Sequence, residues 1–225
     1  TSVETTKLST AEVYAKTLVD LARENPKIVT LTADLAKSTK IGAFEEEFPE
    51  RFFNVGIAEQ NMFGIAAGMA KIGLIAFTSS FAIFTACRAL DQVHTDICYQ
   101  NLNVKMIASH AGTSFGQAGS THHATEDIAI MRSLANLTVF VPADGLETAN
   151  VVQAAVEIDG PVYIRINRGF DQKVYDDMNY GFEVGKAVTL HEGTDLTIIA
   201  CGSAVFQALQ AAKELDAQGL KVRVL

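Results

Sequence analysis

The sequence lacks any surplus of basic residues: 18 Lys and Arg stand against 26 Asp and Glu, which gives a formal net charge of −8. This balance argues against a nucleic-acid-binding protein, because phosphate contacts require an excess of Lys and Arg. No basic amphipathic stretch suggests a membrane surface, and no apolar run is long enough to span a bilayer. The first residues, TSVETTKLSTAE, lack the basic start and apolar middle of a signal peptide.

Cysteines are also scarce, and their spacing does not suggest a metal site. The sequence has three cysteines, Cys87, Cys98 and Cys201, which is an odd number, and no two of them have CxxC spacing. Neither a disulfide framework nor a zinc site is therefore predicted. We expect reduced core thiols in a cytoplasmic protein.

The sequence is rich in short apolar segments that alternate with amphipathic ones. Strands that are apolar throughout and separated by helices are typical of a parallel sheet covered on both faces. We therefore predict an α/β fold built on a doubly wound parallel sheet. The predicted strands are IVTLTAD (28–34), RFFNVG (51–56), LIAFTSS (74–80), VKMIAS (104–109), TVFVPAD (138–144) and VYIRIN (162–167).

Helices are predicted between these strands. Ser9 and Glu12 form a capping-box pattern for a helix that ends near Glu24. Further helices are expected from about Glu59, over 83–99 and over 145–158.

A polar segment, 169–187, follows the sixth strand and has the composition of a linker. A new strand–helix–strand unit then begins, with strands at 196–200 and 221–225 and a helix over about 204–216. One such unit cannot bury both faces of its strands alone. We expect two domains: residues 1–180, and residues 181–225 as the first βαβ unit of a truncated second domain.

Ligands of parallel sheets bind at the carboxyl ends of the strands. The loop 109–127 follows such an end and contains three glycines and three histidines, which makes it a plausible ligand site. His122 and His123 are adjacent, project in different directions and lack an obvious third ligand, so we predict no metal there. The other residues at or just beyond strand ends are Asp34, Glu59, Ser79, Ser109 and Arg168.

Several of these residues also have purely structural interpretations. Glu59 opens a helix of small and apolar residues, where a carboxylate complements the helix dipole. Phe81 and Phe84 lie three residues apart, as core residues often do. Arg165 and Arg168 could form an ion-pairing rim or an anion clamp.

Six longer stretches are more specific than these single positions. They are TADLAKST (32–39), RFFNVGIAEQNMFGIAAGMA (51–70), FTSSFAIFTACRALDQV (77–93), NVKMIASHAG (103–112), GSTHHATEDIAIMRSLANLTVFVPAD (119–144) and DGPVYIRINRG (159–169). In this order they resemble the transketolase family of thiamine diphosphate enzymes across essentially the whole chain. They look most like the carboxyl-terminal section, the pyrimidine-binding subunit, of a transketolase split into two chains.

The resemblance implies a role for Glu59. In thiamine diphosphate enzymes, a glutamate at this position hydrogen-bonds the aminopyrimidine ring and favours the tautomer that deprotonates the reactive thiazolium carbon. An apolar setting suits such proton sharing, because it favours the neutral form of a carboxyl group. By the same resemblance, Phe81 and Phe84 pack the pyrimidine ring and Asp34 lies near the cofactor. Cys87 replaces a third family aromatic.

The expected activity is transfer of a two-carbon ketol unit between sugars or sugar phosphates. Ser38, His122 and Arg168 match residues that hold the sugar, chiefly its phosphate, and His122 joins Glu59 as a catalytic residue.

Two departures from the family pattern concern the substrate. Thr6 stands where family members often have a phosphate-binding arginine, and Gln117 and Ala118 stand where many have Glu-Asp. Each lost charged hydrogen bond typically costs about 1.5–3 kcal/mol. We therefore expect an atypical sugar, or a phosphate held by other residues.

The Gly-Asp-Gly motif that helps hold the cofactor diphosphate through a divalent cation occurs nowhere in this sequence. The resemblance thus implies an amino-terminal partner subunit that carries the diphosphate site and its Mg or Ca ion, in a two-plus-two assembly in which this chain also contacts a second copy.

Other interpretations remain open at this stage. The β subunit of a 2-oxo acid dehydrogenase and a deoxyxylulose phosphate synthase-like enzyme share parts of the pattern. In a different class, a non-catalytic regulatory paralogue would keep the fold and the partner interface.

Overall fold

A computed structural model describes residues 9–169 and 171–225. Its main body is a parallel six-stranded sheet with strand order β2-β1-β3-β4-β6-β5. The strands are β1 (Ile28–Thr32), β2 (Phe52–Asn54), β3 (Ile75–Phe81), β4 (Val104–Ser109), β5 (Thr138–Phe140) and β6 (Val162–Arg165). The predicted α/β class with a parallel sheet is confirmed. No helix in the described ranges is both long and apolar enough to cross a bilayer.

Helices cover both faces of this sheet. One face packs on α1 and α5 through residues such as Tyr14, Leu18 and Val152. The other packs on α3 through residues such as Met62 and Phe63. The α-helices of this body are α1 (Thr10–Glu24), α2 (Gly42–Glu47), α3 (Glu59–Lys71), α4 (Asp127–Met131) and α5 (Gly145–Glu157).

The predicted start of α1 is confirmed in detail. The Ser9 side chain accepts a hydrogen bond from the Glu12 backbone, and the Glu12 carboxylate accepts one from the Ser9 backbone N–H. Asn25 caps the other end of the helix. Local side-chain chemistry thus sets the start of the helix, and a backbone hydrogen bond from Asn25 to the Leu21 carbonyl closes its end.

The helix predicted over 83–99 is wrong as a single regular α-helix. Two π-helical segments, Phe84–Arg88 and Gln92–Cys98, occupy most of this span. The wider turn changes which side chains share a face, and such turns are frequent at functional sites. The short helices α2 and α4 were not predicted.

Ser79 does not lie at the carboxyl end of its strand, contrary to expectation. Strand β3 continues two residues further to Phe81, so Ser79 lies inside the sheet, where its hydroxyl is 2.7 Å from the Tyr14 hydroxyl.

The expectation of core thiols is also wrong for two cysteines, because Cys98 is buried while Cys87 and Cys201 are exposed.

The second unit contains β7 (Leu196–Ile198), α6 (Ala204–Ala217) and β8 (Val222–Val224), with the two strands parallel. The segment before it is not a loose linker. Tyr175 and Tyr180 stack with ring centroids 3.6 Å apart, and both hydroxyls donate to Glu147 of α5. This packing ties the polar segment to the first body.

Lys105 lies fully buried in β4. Its Nζ donates to the backbone carbonyls of Ile158 and Gly160, at 2.6 and 2.7 Å, just beyond the end of α5. Burial lowers the pKa of Lys105 to about 7, and the nearby Asp159 opposes this shift. The side chain thus joins a central strand to the end of a helix.

Replacing Lys105 with Met should remove a pH dependence from the free energy of unfolding. Between about pH 7 and pH 10 the unfolded lysine holds a proton that the folded one has released. Wild-type stability therefore rises with pH across this window, and this gain is absent below it. In urea titrations the stability of wild type relative to Lys105→Met should grow by roughly 3–5 kcal/mol over the window. The exposed Lys27→Met control should show no such trend, and a pH-independent difference for Lys105→Met contradicts the prediction.

Candidate functional site

Glu59 is the first residue of α3 and is only 3% exposed. Its Oε1 accepts a hydrogen bond from Nη1 of Arg88 at 2.8 Å. The guanidinium of Arg88 also lies over the ring of Phe84, with its carbon 3.9 Å from the ring centroid. The buried carboxylate is therefore paired with a half-exposed cation that is itself stacked on an aromatic ring.

A cluster of phenylalanine and histidine rings, which we call the aromatic wall, lies beside this pair. It consists of Phe81, Phe84, Phe115, His110 and His122. Phe81 and Phe84 have ring centroids 5.4 Å apart, and His122 lies 5.4 Å from both Phe84 and Phe115. The wall offers apolar ring faces, with imidazole nitrogens as its polar groups.

His110 lies within the wall, with its ring centroid 4.1 Å from that of Phe81. It follows β4 directly and has a left-handed backbone, with φ of 57°. Its Nδ1 is 3.0 Å from the Ser109 hydroxyl. Burial, with a smaller contribution from Arg168, lowers the pKa of His110 to about 4. The ring is therefore neutral near pH 7, with Nε2 available for a ligand.

A cavity of about 500 Å³ opens next to His110. Arg168 and Phe115 lie on one side of it, and the Arg168 guanidinium carbon is 5.1 Å from the Phe115 ring centroid. Lys37, Ser38 and Lys40 also line the cavity. The Glu12 carboxylate lines the cavity as well, with its Oε1 3.9 Å from the Nζ of Lys40. The three cationic side chains outnumber this carboxylate, so the cavity suits an anionic ligand group. We call this cavity the cationic pocket.

Asp34 lies just beyond β1 in a left-handed conformation, with φ of 59°. The Asn54 side chain holds this turn in place: its Oδ1 accepts from the backbone N–H groups of Asp34 and Gly56, each at 3.1 Å. The Asp34 side chain itself is exposed.

A buried polar cluster supports the loop that carries His122. Oδ2 of Asp127 accepts from the Tyr163 hydroxyl and from Nε of Arg165, both at 2.8 Å. Arg165 also donates to the backbone carbonyl of Ala124 at 3.2 Å. The cluster thus fixes the end of the loop 109–127 against β6. Of the two interpretations offered for Arg165, an ion pair or an anion clamp, the structure shows the ion pair.

The predicted site residues fall into two groups. Glu59, Phe81, Phe84 and His122 come together through Arg88 and the aromatic wall, whereas Ser38 and Arg168 meet in the cationic pocket. Asp34 joins neither group through a direct contact. Gln117 and Ala118 form part of a single 3₁₀ turn, Gly116–Ala118, and Thr6 lies outside the described residues.

Sequence reasoning missed four side chains: Arg88, His110, Lys37 and Lys40. The spacing of Arg88, seven residues after Phe81 and four after Phe84, was an available signal for a shared face. His110 is one residue beyond the strand end Ser109, and Lys37 adjoins Ser38. No local pattern separates these two from ordinary loop residues.

Comparison with known proteins identifies related chains. The family model "Transketolase, pyrimidine binding domain" matches residues 6–170, and "Transketolase, C-terminal domain" matches residues 185–225. A transketolase C-terminal section from Methanocaldococcus jannaschii is 44% identical over 94% of this chain and 67% of its own length. A subunit of an apulose-4-phosphate transketolase from Phocaeicola vulgatus is 40% identical over 94% of this chain and 68% of its own length.

A solved structure described as "Split gene transketolase, inactive beta4 tetramer" superposes with a TM-score of 0.88 at 50% identity. The match covers 97% of this chain and 70% of that one. The chain thus spans about two thirds of the length of these relatives.

The Asp127 cluster yields a stability prediction. Asp127→Asn keeps the shape but removes the charge that faces Arg165, leaving a mostly buried guanidinium without its counter-ion. Breaking such a pair typically costs about 3–5 kcal/mol. We expect a loss of that order in urea unfolding and faster proteolytic cleavage within the loop 109–127. The exposed Asp91→Asn control should be neutral, and a fully stable Asp127→Asn variant refutes the role assigned to the cluster.

Proposed function

This chain belongs to the transketolase family, and from that premise we propose that it is the pyrimidine-binding subunit of a split, thiamine diphosphate-dependent transketolase. Its reaction transfers a two-carbon ketol unit between sugars or sugar phosphates. The observation that carries the proposal is the buried Glu59 at the start of α3, beside the aromatic pair Phe81 and Phe84.

The residues present fit the pyrimidine half of the cofactor. When bound, thiamine diphosphate supplies the carbanion chemistry of ketol transfer. The rings of Phe81 and Phe84 offer apolar faces to a planar heterocycle. Among the described residues, Arg88 is the hydrogen-bond donor to the Glu59 carboxylate and takes only Oε1, which leaves Oε2 to exchange a proton with a ring nitrogen. Asp34, at the neighbouring strand end, is the further side chain that we assign to this half of the site.

We place the diphosphate half of the cofactor site on another chain. No Gly-Asp-Gly motif occurs in the sequence, so we assign the diphosphate and its divalent cation to an amino-terminal partner subunit. The solved split-gene relative is described as inactive as a β4 tetramer, which supports dependence on a second type of chain. We propose a two-plus-two assembly of this chain with that partner.

We assign the anionic group of the substrate to the cationic pocket. Ser38 and Arg168 contribute as expected, and Lys37, Lys40 and the neutral His110 are the additional groups. Thr6 stands where family members often have a phosphate-binding arginine, so other residues must hold the phosphate. We assign this role to Lys37 and Lys40. Because the Gln117–Ala118 segment lacks the family carboxylate, we propose an atypical sugar. A relative named for apulose-4-phosphate supports this choice.

The central test is Glu59→Gln in the complex reconstituted with the amino-terminal subunit. The amide cannot exchange the proton, so turnover should fall by roughly 10²–10⁴-fold. Thiamine diphosphate should still bind, measured by calorimetry, since the aromatic wall is intact. The exposed Glu45→Gln control should behave as wild type. Wild-type turnover by Glu59→Gln refutes the assignment. A wild-type complex that binds no thiamine diphosphate instead favours the regulatory paralogue.

A second test concerns the cationic pocket. Lys37→Met and Arg168→Met should each raise KM for a phosphorylated ketose by roughly tenfold or more, with kcat little changed, because they remove binding common to the ground and transition states. The exposed Lys16→Met control should leave KM unaltered. An unchanged KM in both pocket variants removes the anion assignment. Ordinary ketose phosphates should be poor substrates, and full activity with them overturns the atypical-sugar proposal.

A further inference from the structure

Arg88 makes two contacts that converge on the proposed cofactor site. Nη1 donates to Oε1 of Glu59 at 2.8 Å, and the guanidinium plane lies over Phe84, 3.9 Å from the ring centroid. The side chain of Arg88 is 48% exposed, whereas that of Glu59 is 3% exposed. One residue at the rim of the site therefore touches both the buried acid and one of the two aromatic rings.

The Glu59 side chain is buried at the start of α3 and forms a hydrogen bond with Arg88. A glutamate side chain has several rotatable bonds, so a single charged hydrogen bond selects among its rotamers. Within the described part of the chain, Arg88 supplies that bond, and it occupies one carboxylate oxygen only.

The position of Arg88 is itself constrained. It ends the π-helical segment Phe84–Arg88, and its guanidinium carbon lies over the ring of Phe84, 3.9 Å from the centroid. A guanidinium stacks flat on an aromatic ring while donating in its own plane, which a lysine ammonium cannot do in the same way. Arginine is thus suited to bridge a ring and a carboxylate.

We propose that Arg88 is a positioning residue for Glu59: it holds Oε1 so that Oε2 faces the pyrimidine ring of the cofactor. This assignment rests on the proposed function. Arg88 acts through Glu59, and its own contact with substrate or cofactor is not required.

The experiment compares Arg88→Met, Arg88→Lys, Glu59→Gln and the double variant Glu59→Gln/Arg88→Met in the reconstituted complex. The two readouts are the dissociation constant of thiamine diphosphate, measured by calorimetry, and kcat. The exposed Arg132→Met serves as a control for the loss of an arginine.

Arg88→Met should lower kcat by roughly 10- to 100-fold, with a change in cofactor dissociation constant of about tenfold or less. Arg88→Lys should recover part of kcat, because the cation is retained. The double variant should be no slower than Glu59→Gln alone, since Arg88 acts only through that carboxylate. Circular dichroism and melting temperatures establish that each complex is folded.

Five outcomes overturn the proposal. If the losses of the two single variants multiply in the double variant, Arg88 acts independently of Glu59. If Arg88→Met binds thiamine diphosphate more tightly with kcat unchanged, the guanidinium occupies the place of the pyrimidine. If Arg88→Met and Arg88→Lys both fail to assemble, the residue is structural. A wild-type complex without cofactor binding defeats both this proposal and the proposed function, whereas a wild-type-like Arg88→Met defeats this one alone.

Discussion

The parallel sheet is the constraint on which the rest of the structure depends. Its strands β1, β3 and β4 are buried on both faces, and all six strands run in one direction, so their carboxyl ends meet at one end of the sheet. Asp34, Phe81, His110 and Arg168 follow or end four different strands and are brought to that end from well-separated parts of the chain. The helices that cover the faces leave this end to the loops. Polar and aromatic side chains therefore collect where the backbone is least regular.

This constraint explains why the sequence alone predicts so much of the fold. Short runs of apolar and β-branched residues such as 28–32 favour a buried strand, and the Ser9–Glu12 capping box sets a helix start by local hydrogen bonds. Exact strand ends are less predictable. Strand β1 stops at Thr32 and not at Asp34, because the side chain of Asn54 turns the following backbone into a left-handed conformation. That contact is non-local and leaves no periodic signal.

In the candidate site, too, some residues are predictable from the sequence and others depend on contacts between distant parts of the chain. The family-like stretches predicted Glu59, Phe81 and Phe84, which the fold brings to neighbouring positions. Arg88 was missed, although its spacing from Phe84 was an available signal, because its hydrogen bond to Glu59 joins residues 29 positions apart and leaves no local pattern. His110 was missed because its place in the aromatic wall depends on Phe81, which comes from β3, and on the fold of its own loop, which brings Phe115 against it. Tertiary packing, and not composition, makes it a site residue.

The two ends of the site differ in their electrostatics. Among the described residues, Arg88 is the cation paired with the buried carboxylate, and the pair lies against an aromatic ring, so each charge is largely offset by the other. The cationic pocket instead contains Lys37, Lys40 and Arg168, with Glu12 beside Lys40 and the neutral ring of His110. An anionic group is therefore attracted to the pocket and not to the charge-balanced pair of Glu59 and Arg88. A substrate that carries one anionic end thus has a preferred orientation before any chemistry begins.

In the proposed assembly, division of the site between two chains couples cofactor binding to association. This chain offers a carboxylate oxygen and ring faces to the pyrimidine, whereas the diphosphate depends on the partner. A ligand that contacts both chains stabilises their association by the same free energy by which association improves ligand binding, because the linkage is reciprocal. The half-site on this chain needs only weak affinity for the cofactor. Activity is then confined to the complete assembly, which keeps a reactive cofactor out of a pocket that is open to water.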